Sequence, residues 1–183
     1  MKTLFIFMAE GFEEVEALTT VDILRRAGLD VKMASIDDRE YVSGAHGIVI
    51  RSDLGISDVD IKEAEMLILP GGAPGWQNLQ RSEKLSGLIL DFNKAGGRIA
   101  AICGAPVVLG GLDILKDKKA TCYPGMEDAL KGAKATCDEA VTDGNITTSR
   151  GVGTAIPFAL EIVRLLLGDE KAGMIKKSIV YMH

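Results

Sequence analysis

The chain has 183 residues, of which 47% are hydrophobic and 26% are charged, values that are ordinary for a soluble globular protein. This length predicts one domain over residues 1–183 with a sizeable core. The net charge of −5 gives no reason to expect nucleic acid or an anionic membrane as a partner. No apolar run approaches the roughly 20 residues of a membrane span. Three cysteines without CxxC spacing argue against disulfides and zinc, so we expect a reducing, cytoplasmic location.

Strand-like and helix-like segments alternate along the chain. The first apolar run, 3–8, ends in an acidic cluster without a cleavage site, which predicts a strand rather than a signal peptide. The further predicted strands cover 30–36, 47–53 (reached through a hairpin turn at 43–47), 65–72 and 98–102, with a hairpin at 140–149. The predicted helices cover 13–28, 82–97, 105–115, 153–168 and 169–178. Apolar strands separated by helices predict an α/β three-layer sandwich, a mostly parallel sheet covered on both faces.

The sequence "RIAAICGAP" places Cys103 where a strand must turn sharply into a helix. Its neighbours Ala101, Gly104 and Ala105 are small, as a nucleophile elbow requires. A thiolate at a helix N-terminus faces unpaired N–H groups, which predicts a lowered pKa for Cys103. The alternative is a small buried hydrophobic residue, the usual role of a free cysteine.

Two glycines, Gly71 and Gly72, end another predicted strand in "ILPGG". Because sites in open α/β sheets form at the carboxyl ends of strands, this turn is expected near the cysteine. The N–H groups of Gly71, Gly72 and Gly104 then form a candidate oxyanion site. The alternative is a turn chosen for backbone freedom alone.

Three acids, Glu13, Glu14 and Glu16, open the first predicted helix, where they also complement the helix dipole. Glu16 shares its helix face with Thr20 and Ile23, a more apolar environment than that of Glu13. Burial would raise the pKa of Glu16 and leave it able to donate a hydrogen bond to a thiolate.

Four segments in order resemble the ThiJ/PfpI superfamily, in its parkinsonism-associated deglycase ("DJ-one"-like) branch: "AEGFEEVEALTTVDILRRAG", "ILPGG", "AAICGAP" and "TSRGVGT". The resemblance covers nearly the whole chain. It implies a flavodoxin-like fold, a homodimer, an oxidation-prone nucleophile at Cys103 and a protonated Glu16 in contact with that thiol. It also implies that Arg150 lies near the site and the dimer interface. Val152 stands where many members have proline.

A second departure concerns the general base. Members of this branch with glyoxalase-type activity carry a histidine before a proline in "ATCYP", where this chain has Tyr123. Tyrosine, with an ordinary pKa near 10, is a poor base at neutral pH. The histidines of the sequence, His46 and His183, fall in a turn and at the last position, where we expect solvated side chains. A Cys-His peptidase mechanism therefore lacks its base.

Two functions fit these residues. The first is a cofactor-independent enzyme, without metal, in which Cys103 attacks a small reactive carbonyl and Glu16 shuttles protons. The second is a non-enzymatic thiol redox sensor or stress chaperone, in which an oxidant converts Cys103 to a sulfinate held by Glu16. The remaining candidates, Cys122, Cys137 and Trp76, are predicted to serve packing, although Cys122 and Trp76 fall near the expected pocket.

Overall fold

A computed structural model describes residues 2–182 of the protein. The strands are β1 (Thr3–Met8), β2 (Val31–Ser35), β3 (Tyr41–Ser43), β4 (Val49–Arg51), β5 (Leu54–Gly55), β6 (Ala64–Leu69), β7 (Arg98–Ile102), β8 (Lys119–Ala120), β9 (Lys134–Ala135), β10 (Ala140–Asp143) and β11 (Ile146–Ser149). The helices are α1 (Glu14–Arg26), α2 (Gly75–Arg81), α3 (Glu83–Lys94), α4 (Pro106–Gly111) and α5 (Ala155–Ser178). Short 3-10 turns lie at Ile56–Asp58, Ile61–Glu63, Glu127–Ala129 and Val152–Thr154.

Within residues 2–182, seven strands form one sheet in the order β10-β11-β7-β6-β1-β2-β5. Its neighbouring strands are parallel except for the hairpin of β10 and β11. The predicted mostly parallel sheet and the 140–149 hairpin are therefore confirmed. The strands β1, β6 and β7 lie side by side, so the loops after them meet at one edge of the sheet.

Each face of the sheet buries its own apolar core. Leu4 and Ile6 of β1 pack with residues of α1 and α5 on one face, while Phe5 and Phe7 pack with residues of α3 and α4 on the other. Because both faces of a central strand are buried, its sequence is continuously apolar rather than alternating. The three-layer α/β sandwich expected from that pattern is confirmed.

Several helix boundaries follow from local chemistry. Ser82 caps α3 by accepting the Leu85 N–H at 3.3 Å. Gly28, at φ +88°, stops the chain after α1 in a conformation that favours glycine. The helix predicted over 105–115 is shorter, since α4 ends at Gly111 and glycines have low helix propensity. The two last predicted helices form one element, α5, interrupted at Gly168 by non-helical φ and ψ of 87° and 168°.

The predicted strand 47–53 does not join the main sheet. Only Val49–Arg51 is extended, and it pairs with β3 in a separate antiparallel hairpin, while β5 takes the sheet edge beside β2. The helix α2 was not predicted, because "PGGAPGW" is typical of a loop. In the part of the chain described, no helix has the length and apolar character needed to cross a membrane.

Candidate active site

Cys103 occupies the turn between β7 and α4 in a left-handed backbone conformation, with φ +66°. A non-glycine residue there is strained and persists only when its surroundings hold it. The Cys103 N–H donates to the Ser149 carbonyl at 3.0 Å, and its carbonyl accepts the Tyr123 N–H at 2.8 Å. The elbow predicted from the small neighbours is thus present, fixed by the segments on either side.

The thiol of Cys103 lies beside the carboxyl of Glu16, across from Gly71. A Cβ built at Gly71 would lie 2.5 Å from Cys103 Cβ, 2.7 Å from Glu16 Oε2 and 3.0 Å from Cys103 Sγ. Real Cβ atoms do not approach so closely, so only glycine lets the strand end pass this pair. The three residues therefore come together from α1 and the ends of β6 and β7.

Glu16 has 0% of its surface exposed. Burial raises its pKa to about 7, the Glu13 charge adds to this, and hydrogen bonds with Cys103 and the Gly71 N–H oppose it. This is the direction predicted from its helix face. Its Oε1 atom is buried without a hydrogen-bond partner among the described residues, and it lies 3.9 Å from where a Cβ of Gly151 would sit. Glu16 therefore offers one carboxyl oxygen toward the loop that contains Gly151.

The prediction of a lowered Cys103 pKa is wrong. Burial raises it to about 12, the Glu16 charge and hydrogen bond add to this, and N–H groups of Gly72 and Gly104 oppose it. The N–H groups lower this pKa, but the apolar surroundings and the adjacent carboxylate outweigh them. Because Glu16 has the lower pKa of the two, a Cys103 thiolate at neutral pH forms when the thiol proton passes to the Glu16 carboxylate.

The predicted oxyanion set is reduced by one member. The Gly71 N–H donates to Glu16 Oε2 at 2.9 Å, so it is already used. A fully buried carboxylate oxygen needs such a donor. The N–H groups of Gly72 and Gly104 do face the Cys103 sulfur, where they lower its pKa. Gly72 has φ +92°, and a Cβ there would collide with the backbone nitrogen of Glu13.

The other two acids of the cluster have structural contacts. Glu13 caps α1, its Oε2 accepting the Glu16 N–H at 2.7 Å. Glu14 accepts the backbone N–H of His46 at 2.6 Å and contacts its Nδ1 at 2.8 Å. These contacts lower the Glu14 pKa against burial and raise the His46 pKa. The expectation of a solvated His46 is confirmed, since its side chain is 71% exposed, although one ring nitrogen contacts Glu14. His183 lies outside the described residues.

The same three side chains are the described residues that could hold a metal ion. Glu13, Glu14 and His46 each bring one ligand atom within 4.8 Å of the others. Both Glu14 oxygens already accept hydrogen bonds that fasten α1 to the β3–β4 hairpin, which accounts for the cluster without a ligand.

A cleft of about 590 Å³ opens on one side of Cys103. Its lining includes Glu13, Glu16, Cys103, Tyr123, Cys137, Glu139 and Arg150. The structure thus places both predicted pocket residues, Tyr123 and Arg150, beside the cysteine. Arg150 Nη1 donates to the Cys137 carbonyl at 3.2 Å.

Two packing predictions for the cysteines have different outcomes. Cys122 is 1% exposed and packs in the core, as expected. Cys137 is exposed and lines the cleft, because residues 136–139 run as a loop between β9 and β10 rather than as a buried strand. Trp76 was predicted to pack, and it does so while also lining a second cavity next to Cys103.

Comparisons with known proteins agree with this fold. The sequence profile of the DJ-1/PfpI family matches residues 2–165. Protein DJ-1 homolog A of Arabidopsis thaliana is 37% identical over 182 residues, which is 98% of this chain. The chain spans 46% of the length of that relative. A Caenorhabditis elegans protein named a glutathione-independent glyoxalase is 36% identical over 178 residues, 96% of this chain and 94% of its own.

A solved structure resembles the chain throughout. Oxidised DJ-1 of Toxoplasma gondii superposes with a TM-score of 0.95 at 32% identity, and the match covers 100% of both chains. The flavodoxin-like arrangement expected from the sequence is the fold of this relative. The profile match and these identities show that the chain belongs to the DJ-1/PfpI family.

Proposed function

We propose that this protein converts small 2-oxoaldehydes to 2-hydroxy acids without a cofactor, with Cys103 as nucleophile and Glu16 as proton shuttle. The observation that carries the proposal is the pairing of a buried carboxyl, whose pKa is raised to about 7, with an elbow cysteine. A carboxyl that gains and loses a proton near neutral pH suits general acid–base work. The name of the nematode relative, a glutathione-independent glyoxalase, supports the same chemistry.

The proposed steps balance without an outside oxidant or reductant. Proton transfer to Glu16 gives the thiolate, which adds to the aldehyde carbon and forms a hemithioacetal. Its oxygen is stabilised by the N–H groups of Gly72 and Gly104, which face the sulfur. Glu16 returns the thiol proton to the hemithioacetal oxygen and, as a carboxylate again, moves a proton from the former aldehyde carbon to the neighbouring carbonyl carbon, while the hydroxyl proton passes to the neighbouring oxygen. Water hydrolyses the resulting thioester, releasing the 2-hydroxy acid and the free thiol.

A redox sensor is the second candidate, and the composition of the cleft favours it. Among the described residues that line the cleft there is no histidine to assist Glu16. Oxidation of the Cys103 thiolate by two equivalents of peroxide would give a sulfinate and two waters. The N–H groups of Gly72 and Gly104, and a protonated Glu16, are placed to donate to its oxygens.

Lactate formation from methylglyoxal tests the enzyme proposal. Wild-type protein should produce lactate. Cys103→Ser should lose at least about a thousandfold of kcat/KM, because a serine hydroxyl is far less acidic than a thiol and gives up its proton to Glu16 much less readily, and Glu16→Gln should be similarly impaired. Cys122→Ala, which alters a buried cysteine outside the cleft, is the matched control and should keep full activity. Equal turnover by the two site variants and the wild type would remove this site from the chemistry.

The same protein samples decide between the two candidates. No lactate from the wild type, together with a stable sulfinate at Cys103 after mild peroxide, would support the sensor. Peptide mapping that finds Cys137 or Cys122 oxidised before Cys103 would contradict it.

We also propose that the chain forms a homodimer through an apolar surface, the α1–β4 face, made of Val15, Ile48 and Val49. Their exposed fractions are 47%, 52% and 57%. Glu14 of α1 joins the helix to the segment before β4, since its Oε1 accepts the backbone N–H groups of His46 and Ile48. Adjacent exposed aliphatic side chains are typical of association surfaces.

A further inference from the structure

A second, smaller cavity also borders Cys103. It has a volume of about 330 Å³ and is lined by Cys103, Tyr123, Trp76 and Met126 and by the backbone of Gly72 and Gly104. Among the described residues that line it, no side chain is charged. The larger cleft, in contrast, carries Glu13, Glu16, Glu139 and Arg150. Cys103 therefore borders both a charged cavity and an apolar one.

The apolar cavity is built onto the backbone of the elbow. The backbone N–H of Trp76 donates to the Gly72 carbonyl at 2.8 Å, so α2 begins directly after the glycine turn. A Cβ at Gly104 would lie 2.6 Å from Trp76 Cδ1, so the glycine is what lets the indole ring lie against the elbow. Trp76 is thus held against the residue that follows the nucleophile.

Tyr123 and Met126, which also line the cavity, are connected to Cys103 by backbone hydrogen bonds. The Tyr123 N–H donates to the Cys103 carbonyl at 2.8 Å, and the Met126 N–H donates to the Tyr123 carbonyl at 3.1 Å. This turn brings an aromatic ring and a flexible, polarisable thioether to the same cavity. Because Tyr123 is hydrogen-bonded to the Cys103 backbone and Trp76 lies against Gly104, the cavity is positioned relative to the sulfur.

We propose that this cavity, the apolar subsite, binds the side group of the carbonyl compound that Cys103 attacks, and that the preferred compounds carry an aryl or bulky alkyl group. The N–H groups of Gly72 and Gly104 lie toward the sulfur and would hold the oxygen of a carbon bonded to Sγ, which leaves the remaining substituent of that carbon to face one of the two cavities that border Cys103. Burial of a hydrocarbon group in the apolar subsite lowers the free energy of binding, whereas the charged cleft offers no such gain. The inference rests on the proposed function for its substrate class, and on the cavity alone for its apolar preference.

Two measurements test the subsite. The first is kcat/KM for phenylglyoxal against methylglyoxal, which should favour the aryl compound by at least about tenfold. The second needs no turnover: it is the rate of Cys103 alkylation by N-phenyliodoacetamide against iodoacetamide, measured by peptide mass spectrometry. The alkylation ratio is divided by the same ratio measured for N-acetylcysteine, which removes the intrinsic reactivity of the two reagents. The corrected alkylation ratio should also favour the aryl reagent by about tenfold.

Met126→Lys, which places a charge in the subsite, should reduce the corrected alkylation ratio to near one. It should also remove the preference for phenylglyoxal in kcat/KM. Met174→Lys is the matched control, because Met174 is 58% exposed on α5, and it should leave both ratios unchanged. Met126→Leu should keep the preference, which separates loss of the apolar lining from loss of folding.

The outcomes distinguish the subsite from the enzyme. A corrected wild-type alkylation ratio near one, or an unchanged ratio in Met126→Lys, would overturn the subsite even if methylglyoxal is turned over. An aryl preference in alkylation without turnover of either aldehyde would support the subsite and contradict the enzyme.

Discussion

At the scale of single residues, the site combines groups that are individually unfavourable. Cys103 has a left-handed backbone, and Glu16 is a buried carboxyl whose Oε1 has no hydrogen-bond partner among residues 2–182. Each costs on the order of 1–3 kcal/mol. Such costs are tolerated where surrounding structure enforces them, as the hydrogen bonds of Cys103 to Ser149 and Tyr123 do here. The residue scale therefore predicts that the site destabilises the fold.

Glu16→Gln should change how stability depends on pH. The folded-state pKa of Glu16, about 7, lies above its ordinary 4.5, so the folded protein binds the proton more tightly than the unfolded chain. Its contribution is complete at low pH and is lost as pH rises through the window from about 4.5 to 7. The wild type should lose about 3 kcal/mol relative to Glu16→Gln across that window.

Urea unfolding of both proteins at pH 4.5 and pH 8 measures this difference. Glu170→Gln, at an exposed glutamate, is the control and should follow the wild type. Parallel pH profiles for the wild type and Glu16→Gln would contradict a raised Glu16 pKa.

At the scale of elements, two glycines lie within helices but have different backbone conformations. Gly87 lies exposed within α3, and Gly168 interrupts α5 at φ +87°. A Cβ at either position would meet no atom within 4 Å, so sterics with neighbours do not distinguish them. Only the backbone conformation differs, which makes the two positions a matched pair.

Gly87→Ala should raise the free energy of unfolding by about 0.5–1 kcal/mol, because alanine has the higher helix propensity. Gly168→Ala should lower it by about 1 kcal/mol, because a side chain is strained at positive φ. Thermal unfolding of the two variants and the wild type checks the opposite signs. Stabilisation by both alanines would mean that α5 continues through residue 168 without a break.

At the scale of the whole molecule, the sheet brings distant loops to one edge. The carboxyl ends of β1, β6 and β7 are adjacent, and Glu16, Gly71 and Cys103 follow them in turn. The same topology places α1 beside the β3–β4 hairpin, which forms the α1–β4 face. The candidate site and the proposed dimer surface thus share one helix, α1.

Val49→Lys should convert the proposed homodimer to a monomer, because a charge on the α1–β4 face opposes burial of that surface. Leu90→Lys, at a residue 42% exposed on α3, is the matched control and should remain dimeric. Sedimentation equilibrium of the wild type should give twice the mass of the chain. A monomeric wild type at all concentrations would contradict the dimer.

Local patterns in the sequence predicted the fold class, the nucleophile elbow and the burial of Glu16. The apolar runs 3–8 and 98–102 predicted central strands because burial on both faces leaves no alternation. The small residues around Cys103 predicted the elbow, since only they fit a crowded turn. The helix-face argument likewise predicted a buried Glu16. Each of these inferences depends on neighbours within a few positions along the chain.

Only the tertiary structure decided which groups meet and in what electrostatic setting. The Gly71 N–H donates to Glu16, 55 positions away in sequence, so of the three predicted donors Gly72 and Gly104 are the two that face the sulfur. The Cys103 pKa is raised rather than lowered because burial and the Glu16 carboxyl exceed the effect of the N–H groups. His46 meets Glu14 across 32 positions. Desolvation and charge depend on distance in space, and the sequence gives that distance only between near neighbours.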